Sequence, residues 1–305
     1  MIDPLAEVVT LLQPSARFSK LVHSASPWHV SRSDAGEPFY CAILEGGCRI
    51  TIDGHAPLEL LSGDFVLIPA AYGVAISSLE PPLPGVEASV PVALGNGEYL
   101  IGVPDRPIDT RMMAGHCRFG SPDASLLVSL LPQIVHVRGE HRLATLVQLV
   151  REESLAQRPA REVVLSRLLE VLLIEALRST AGTNASPGLV RGLADSRLAE
   201  AIRGMHERPT HAWTVAELAK QAALSRSTFF ERFSRAVGVA PMEYLLAWRM
   251  ALAKDLLRRN EGRVAEVAQR VGYSSASTFS VAFTRHVGRP PAQYAREEQA
   301  VANGG

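Results

Sequence analysis

At 305 residues, 47% hydrophobic and 20% charged, the chain is long enough for two domains with cores of their own, and its composition is not that of a disordered or fibrous protein. The 31 Lys and Arg balance the 31 Asp and Glu, but from Gly192 onward there are 16 basic against 11 acidic residues, so the later part is basic and the earlier part acidic by the same margin. No run of about 18 apolar residues exists and the start, MIDPLAEVVTLLQP, lacks the basic n-region and cleavage site of a signal peptide, so the expectation is a cytoplasmic protein with no membrane partner.

From Ser15 to about Arg118 the pattern is that of β structure. Short apolar runs (Tyr40 to Leu44, Arg49 to Ile52, Leu58 to Leu61, Phe65 to Ile68, Val74 to Ser77) are separated by the turn signals Glu45-Gly46-Gly47, Asp53-Gly54 and Ser62-Gly63-Asp64. Strands this short and this regularly spaced read as a sandwich or barrel. Cys41, Cys48 and Cys117 are odd in number and without CxxC spacing, which argues against a disulfide framework or a zinc site. They are expected to be reduced and at least partly buried.

The segment LEGGCRITIDGHAPLELLSGDFVLIPA resembles the middle of a cupin barrel, whose Gly-Asp turn is followed by an apolar strand ending in Pro, here Gly63-Asp64 to Pro69. Enzymes of that family hold a metal with histidines and a carboxylate. This chain has no histidine near Val74 and no His-x-His around Gly36 to Tyr40, while His23, His29 and His55 lack ligand spacing. No metal and no cofactor is therefore expected, and an enzymatic cupin is disfavoured. A pocket for a small molecule fits better, with Trp28, His29, Phe39, Cys41 and Arg49 as its candidate lining from strand alternation. Trp28 and Phe39 read equally well as plain core. A thiol sensor built on the cysteines is the competing reading, and it needs accessible, low-pKa thiols.

Beyond Leu126 the period becomes helical. Leu146 to Gln157 and, after Pro159, Arg161 to Ser179 are predicted helices. The second carries Val164, Leu165, Leu168, Leu169, Leu172, Leu173 and Leu177, an apolar arc wide enough to cover the barrel on one side and to pair with a second copy as a homodimer on the other. Burial entirely within one chain is the alternative. The uncharged, small-residue stretch from Thr180 to Gly188 reads as a linker. The expected domains are therefore 1–179 (barrel about 15–120, helices about 121–179) and 192–305, joined by a linker at 180–191.

The second domain holds one helical unit written twice. Thr228, Phe229, Phe233, Gly238, Pro241 and Tyr244 recur at a constant offset of 50 as Thr278, Phe279, Phe283, Gly288, Pro291 and Tyr294, whereas Glu217 recurs at 49 as Glu266, so the second turn is one residue longer. After an amphipathic helix from Asp195 to Glu207, Thr214-Val-Ala-Glu217 forms a capping box and starts a helix to Ala222. A turn at Ala223-Leu224-Ser225 follows, then a helix from Ser225 to about Val237 that places Phe229 and Phe233 on one face. Helix, short turn, helix is a helix-turn-helix. The second copy repeats it with Val264 to Val271, Gly272-Tyr273-Ser274 and Ser275 to Val287. Met242 to Arg259 is predicted as a connecting helix of roughly 27 Å, which suits successive major grooves about 34 Å apart on one DNA face.

These paired motifs, the Gly-x-x-Pro ends and AEVAQRVGYSSASTFSVAFTRHVGRPPAQY closely follow the DNA-binding domain of AraC/XylS transcriptional regulators, and with the barrel in front the whole chain is similar to members carrying a cupin-like sensor. The expected architecture is multidomain: a cupin-like β-barrel with flanking helices, a linker, and an all-α domain with two helix-turn-helix motifs. The resemblance implies promoter DNA, RNA polymerase and a small-molecule effector as partners. It also implies base reading by Ser227, Phe230 and Glu231 in the first module and by Ala276, Ser277 and Val281 in the second. Arg226, Arg232, Arg235, Ser275 and Arg285 lie where phosphate contacts are expected. Ala276 and Val281 depart from the family's habit of long polar side chains, so the second module is expected to position more than it reads.

Overall fold

The computed structural model describes residues 3–32, 36–80, 87–120, 124–156, 158–179 and 187–303. In chain order it forms α1 (Pro4–Leu12), β1 (Pro14–Ala25), β2 (His29–Arg32), β3 (Glu37–Glu45), β4 (Gly47–Ile52), β5 (Leu58–Leu61), β6 (Phe65–Ala71), β7 (Val74–Ser78), β8 (Val92–Gly95), β9 (Glu98–Gly102) and β10 (Thr110–Phe119). There follow α2 (Ala124–Val128), β11 (Val135–Val137), α3 (His141–Leu155), α4 (Arg161–Ser179), α5 (Leu189–Ala194), α6 (Ser196–Glu207), α7 (Val215–Gln221), α8 (Arg226–Val237), α9 (Pro241–Arg258), α10 (Val264–Arg270), α11 (Ala276–Val287) and α12 (Pro291–Asn303). Among the described residues no helix is long and apolar enough to cross a membrane.

Two compact units result. One comprises Leu12–Pro122 and Pro132–Ser186; the other comprises Met1–Leu11, Asp123–Leu131 and Pro187–Gly305. The predicted linker falls largely on residues 180–186, which lie outside the described residues, and its last part, 189–191, opens α5.

The first unit is built on two sheets. Seven strands run in the order β11-β6-β3-β10-β1-β9-β8 and four in the order β2-β7-β4-β5, all neighbours antiparallel except β1 with β9. Alternation along the strands sends one set of side chains between the sheets. Phe39, Cys41, Ile43, Val66, Ile68 and Met112 from the larger sheet meet Cys48, Ile50, Leu60, Val74 and Ile76 from the smaller in one buried cluster. The helices α3 and α4 pack on β1 of the larger sheet. The Gly63-Asp64 turn is fixed by its own carboxylate, which accepts from the Leu61 amide at 3.1 Å and meets His136 Nε2 at 3.2 Å.

The second unit is entirely helical, and two of its pieces come from the N-terminal half of the sequence. Asp3 caps α1, accepting from the Leu5 amide at 3.0 Å, with Pro4 at the first helical position, where its missing N–H is no loss. The apolar face Leu5, Val8 and Val9 is buried. Glu7, on the same helix, reaches His206 of α6, whose Nδ1 lies 2.7 Å from the Glu7 carboxylate and whose Nε2 lies 2.7 Å from the Tyr244 hydroxyl. The imidazole stacks on Trp248 with centroids 4.0 Å apart. The segment containing α2 is held similarly, the Leu130 carbonyl accepting from the Leu189 amide at 2.7 Å.

Candidate nucleic-acid interface

Each helix-turn-helix starts from its caps. Thr214 accepts from the Glu217 amide at 3.2 Å while the Glu217 carboxylate accepts from the Thr214 amide at 2.8 Å, and these hydrogen bonds hold the Glu217 carboxyl below its usual range. In the second copy Arg263 replaces the threonine. Only the return half survives there, Glu266 accepting from the Arg263 amide at 2.9 Å. Ser225 and Ser275 cap the recognition helices α8 and α11, accepting from the amides of Thr228 and Thr278 at 3.2 and 3.1 Å. Both helices end on a left-handed glycine, Gly238 (φ 90°) and Gly288 (φ 83°), after which Pro241 and Pro291 open the next helix. The connection is four residues in the first copy (222–225) and five in the second (271–275), the difference that the sequence offset implies.

Phe229 and Phe233 pack at 5.5 Å with Tyr244 beyond them, and Phe279, Phe283 and Tyr294 repeat the arrangement. Burying these faces turns the opposite faces of α8 and α11 outward. On α8, Arg226, Ser227, Phe230 and Glu231 line a shallow recess of about 340 Å³ together with Val215 of α7. Phe230 is 45% exposed in the midst of charged neighbours, so core packing does not account for it. Val215 escaped the sequence reading. The signal was available, since the first residue of the preceding helix faces the N-terminal end of the recognition helix.

The arginines differ. Arg232 is ion-paired with Asp195, the N-cap of α6, so its guanidinium is already held by a carboxylate of its own unit. Arg226 and Arg235 are exposed on α8, and Arg285 is exposed on α11. On α11, Val281 is 71% exposed, Ser277 is exposed and Ala276 is half-buried. Ser280 and Thr284 donate back to the carbonyls of Ala276 and Ser280, both at 2.7 Å, which spends their hydroxyls within the helix. Ser275 is engaged as a cap and lies 3.1 Å from Ser277 Oγ. The reading face of the second module is therefore poorer in free polar groups than that of the first.

The connecting helix α9 spans 18 residues, about 27 Å, and begins one residue earlier than the sequence reading placed it because Pro241 takes the N1 position.

In the two-sheet unit, Trp28, Phe39 and Cys41 are buried in the cluster between the sheets. His29 and Arg49 both pair with Ser77 across the smaller sheet, and Arg49 is bound to Glu59 at 2.8 Å. The structure thus places His29 and Arg49 on either side of Ser77, two strands apart, and keeps the other three in the core. Cys41, Cys48 and Cys117 are buried, and burial pushes the Cys48 and Cys117 thiols up to about 12 and Cys41 well above its usual value. Among the described residues no group of three or more His, Cys, Asp or Glu could hold a metal ion.

Two helix-turn-helix units on one rigid helix, each with an exposed recognition face, define a DNA-binding protein. A family model described as cupin matches residues 3–182, and one described as helix-turn-helix domain matches residues 218–297. Over 300 residues the chain is 35% identical to a putative AraC-like transcription regulator of Streptomyces lividans, covering 96% of this chain and 97% of that one. It is 30% identical over 301 residues to the RCS-specific HTH-type transcriptional activator RclR of Escherichia coli strain K12, covering 96% of each. Among solved structures it is similar to the DNA-binding domain of AdpA in complex with a target DNA, at 34% identity and a TM-score of 0.34, over 35% of this chain and 96% of that one. The chain belongs to the AraC-like transcription regulators and carries a cupin N-terminal domain.

Proposed function

We propose that this regulator responds to a small molecule held by its cupin domain, which controls promoter binding or recruitment of RNA polymerase, and that it acts as a homodimer. The observation that carries the sensing role is the Trp28 indole N–H, buried between the sheets without an acceptor among the described residues; Nδ1 of the adjoining His29 is likewise buried and unpartnered. A buried donor without a partner costs the desolvation of its N–H, and a ligand with an acceptor atom would satisfy this one. Exposed Val163, Val164 and Val171 on α4 supply the apolar face for a second copy. The burial of all three thiols weighs against an oxidant sensor, because the reactive species is the thiolate. Alanine at Cys41, Cys48 or Cys117 is expected to leave a promoter-reporter response intact, and loss of an oxidant response in any of the three would restore that reading.

Reading is assigned to Ser227, Phe230, Glu231, Ala276, Ser277 and Val281, and backbone contact to Arg226, Arg235, Ser275 and Arg285, with Arg232 joining them by exchanging the Asp195 carboxylate for a phosphate. A carboxylate can accept from cytosine N4, so Glu231→Ala is expected to change the preferred base at one position by about 1–3 kcal/mol of discrimination. Arg285→Ala should weaken binding to all sequences and lower the salt slope by about one. Binding-site selection on wild type and both variants tests this. An unchanged preference in Glu231→Ala would remove that residue from the reading set.

A further inference from the structure

One side chain stands where the two helix-turn-helix modules meet. Arg249 is the ninth of the 18 residues of α9. Its Nε donates to the Pro209 carbonyl and its Nη2 to the His211 carbonyl, both at 2.7 Å. Those carbonyls belong to the loop between α6 and α7 of the first module. The loop is itself firm: the Trp213 indole donates to the Arg208 carbonyl at 3.1 Å, and the Trp213 amide donates to the His211 carbonyl at 2.8 Å.

The other side of the same guanidinium meets the turn of the second module. A Cβ added to Gly272 would lie 2.8 Å from Arg249 Nη2 and 2.8 Å from the Pro209 carbonyl oxygen, so only glycine lets this turn approach. The next residue, Tyr273, packs edge-on against Phe279 at 5.5 Å, which ties the turn to the second module's core. The first module provides an internal control. Its equivalent turn residue is Ala223, which sits at a φ of 50° that a side chain tolerates, is exposed, and keeps its Cβ, whereas Gly272 sits at 87°. Glycine at 272 is thus demanded twice, by the left-handed backbone of the turn and by the contact with Arg249 and Pro209. A guanidinium suits this junction because its rigid planar fork can serve two acceptors in one fixed geometry.

We propose that Arg249 is a positioning residue that fixes the angle between the two recognition helices and thereby sets the base-pair spacing between the two half-sites that this regulator accepts. The proposal rests on the reading that both modules engage one DNA site. Without the bracket, α9 still joins the modules, but the second turn is no longer registered against the first module's loop. Affinity for the preferred spacing then falls while tolerance for other spacings rises.

The test uses full-length protein and a site obtained by selection from random DNA, rebuilt with one base pair inserted or removed between its halves. Wild type is expected to bind the altered spacings about tenfold or more weaker. Arg249→Met should bind the selected site more weakly but discriminate between the three spacings only about twofold. Gly272→Ala, which pushes on the same junction from the other module, should shift the preferred spacing, and thermal melts identify which variants are folded. An equal loss on all spacings, or a salt slope lowered by about one as for a phosphate contact, would overturn the proposal. A wild type indifferent to spacing would instead overturn the two-module reading beneath it.

Discussion

Phe283→Ala is expected to cost about 3–5 kcal/mol, the range for truncating a fully buried phenylalanine. The ring is fully buried and stands between Phe279 at 5.4 Å and Tyr294 at 5.6 Å, so its loss leaves a cavity that two other aromatics border. The second module is small, and Val267, Ala268, Val271, Phe279, Phe283 and Tyr294 make up most of its core outside α9. A loss of that size approaches the whole stability of a domain. Urea unfolding followed by circular dichroism should therefore split into two transitions, with the early one belonging to α10 to α12. Footprinting should show protection shrinking to one half-site. A single transition displaced by less than about 1 kcal/mol would mean that the core is less dependent on this ring than its contacts indicate.

The second large effect is centred on His206. Burial lowers its pKa, and the hydrogen bond and charge of Glu7, with the charge of Asp3, raise it only in part. The neutral ring satisfies both neighbours: Nδ1–H donates to the Glu7 carboxylate and Nε2 accepts from the Tyr244 hydroxyl. Protonation places a second N–H against a hydroxyl whose proton must then turn elsewhere, inside a packed core. Because the folded pKa lies below the ordinary value of about 6.5, the unfolded chain binds the proton more readily. The stability of this unit is therefore complete above about pH 6.5 and falls as the pH drops through the folded value. His206→Ala should cost about 3 kcal/mol or more at neutral pH, since it empties the space against Trp248 and orphans the Tyr244 hydroxyl. It should also flatten the pH profile. An unchanged acid slope in the variant would place the titration elsewhere.

Much of this fold was legible because its signals are local. The repeat, the capping residues and the apolar periods fix α6 to α11 to within a residue or two, and Arg161–Ser179 falls where the pattern puts it. The strands β3 to β7 follow their turn residues. Non-local features left no trace. Glu7 and His206 are 199 residues apart, and neither has a neighbour in sequence that announces the pairing. Arg249 looks like one more charged residue on an amphipathic helix. The occupation of Arg232 by Asp195 could not be read either, because helical spacing places an arginine on a face without saying what else reaches it. Phe230 shows the opposite case: its residue type alone suggests burial, and only the packing of Phe229 and Phe233 turns it out.

The helical unit is discontinuous in sequence, and this bears on how such regulators can be recombined. The cupin family match begins at residue 3, so inheritance assigns α1 and α2 to the N-terminal half, whereas packing assigns them to the half that binds DNA. A chimera joined at the linker would present Leu5, Val8, Val9 and Glu7 to a foreign surface, and a C-terminal fragment beginning at Pro187 would expose the apolar ground they cover. The exchangeable part comprises residues 1–11, 123–131 and 187–305 taken together. Grafts that respect all three pieces should stay soluble and bind DNA where a simple splice would aggregate.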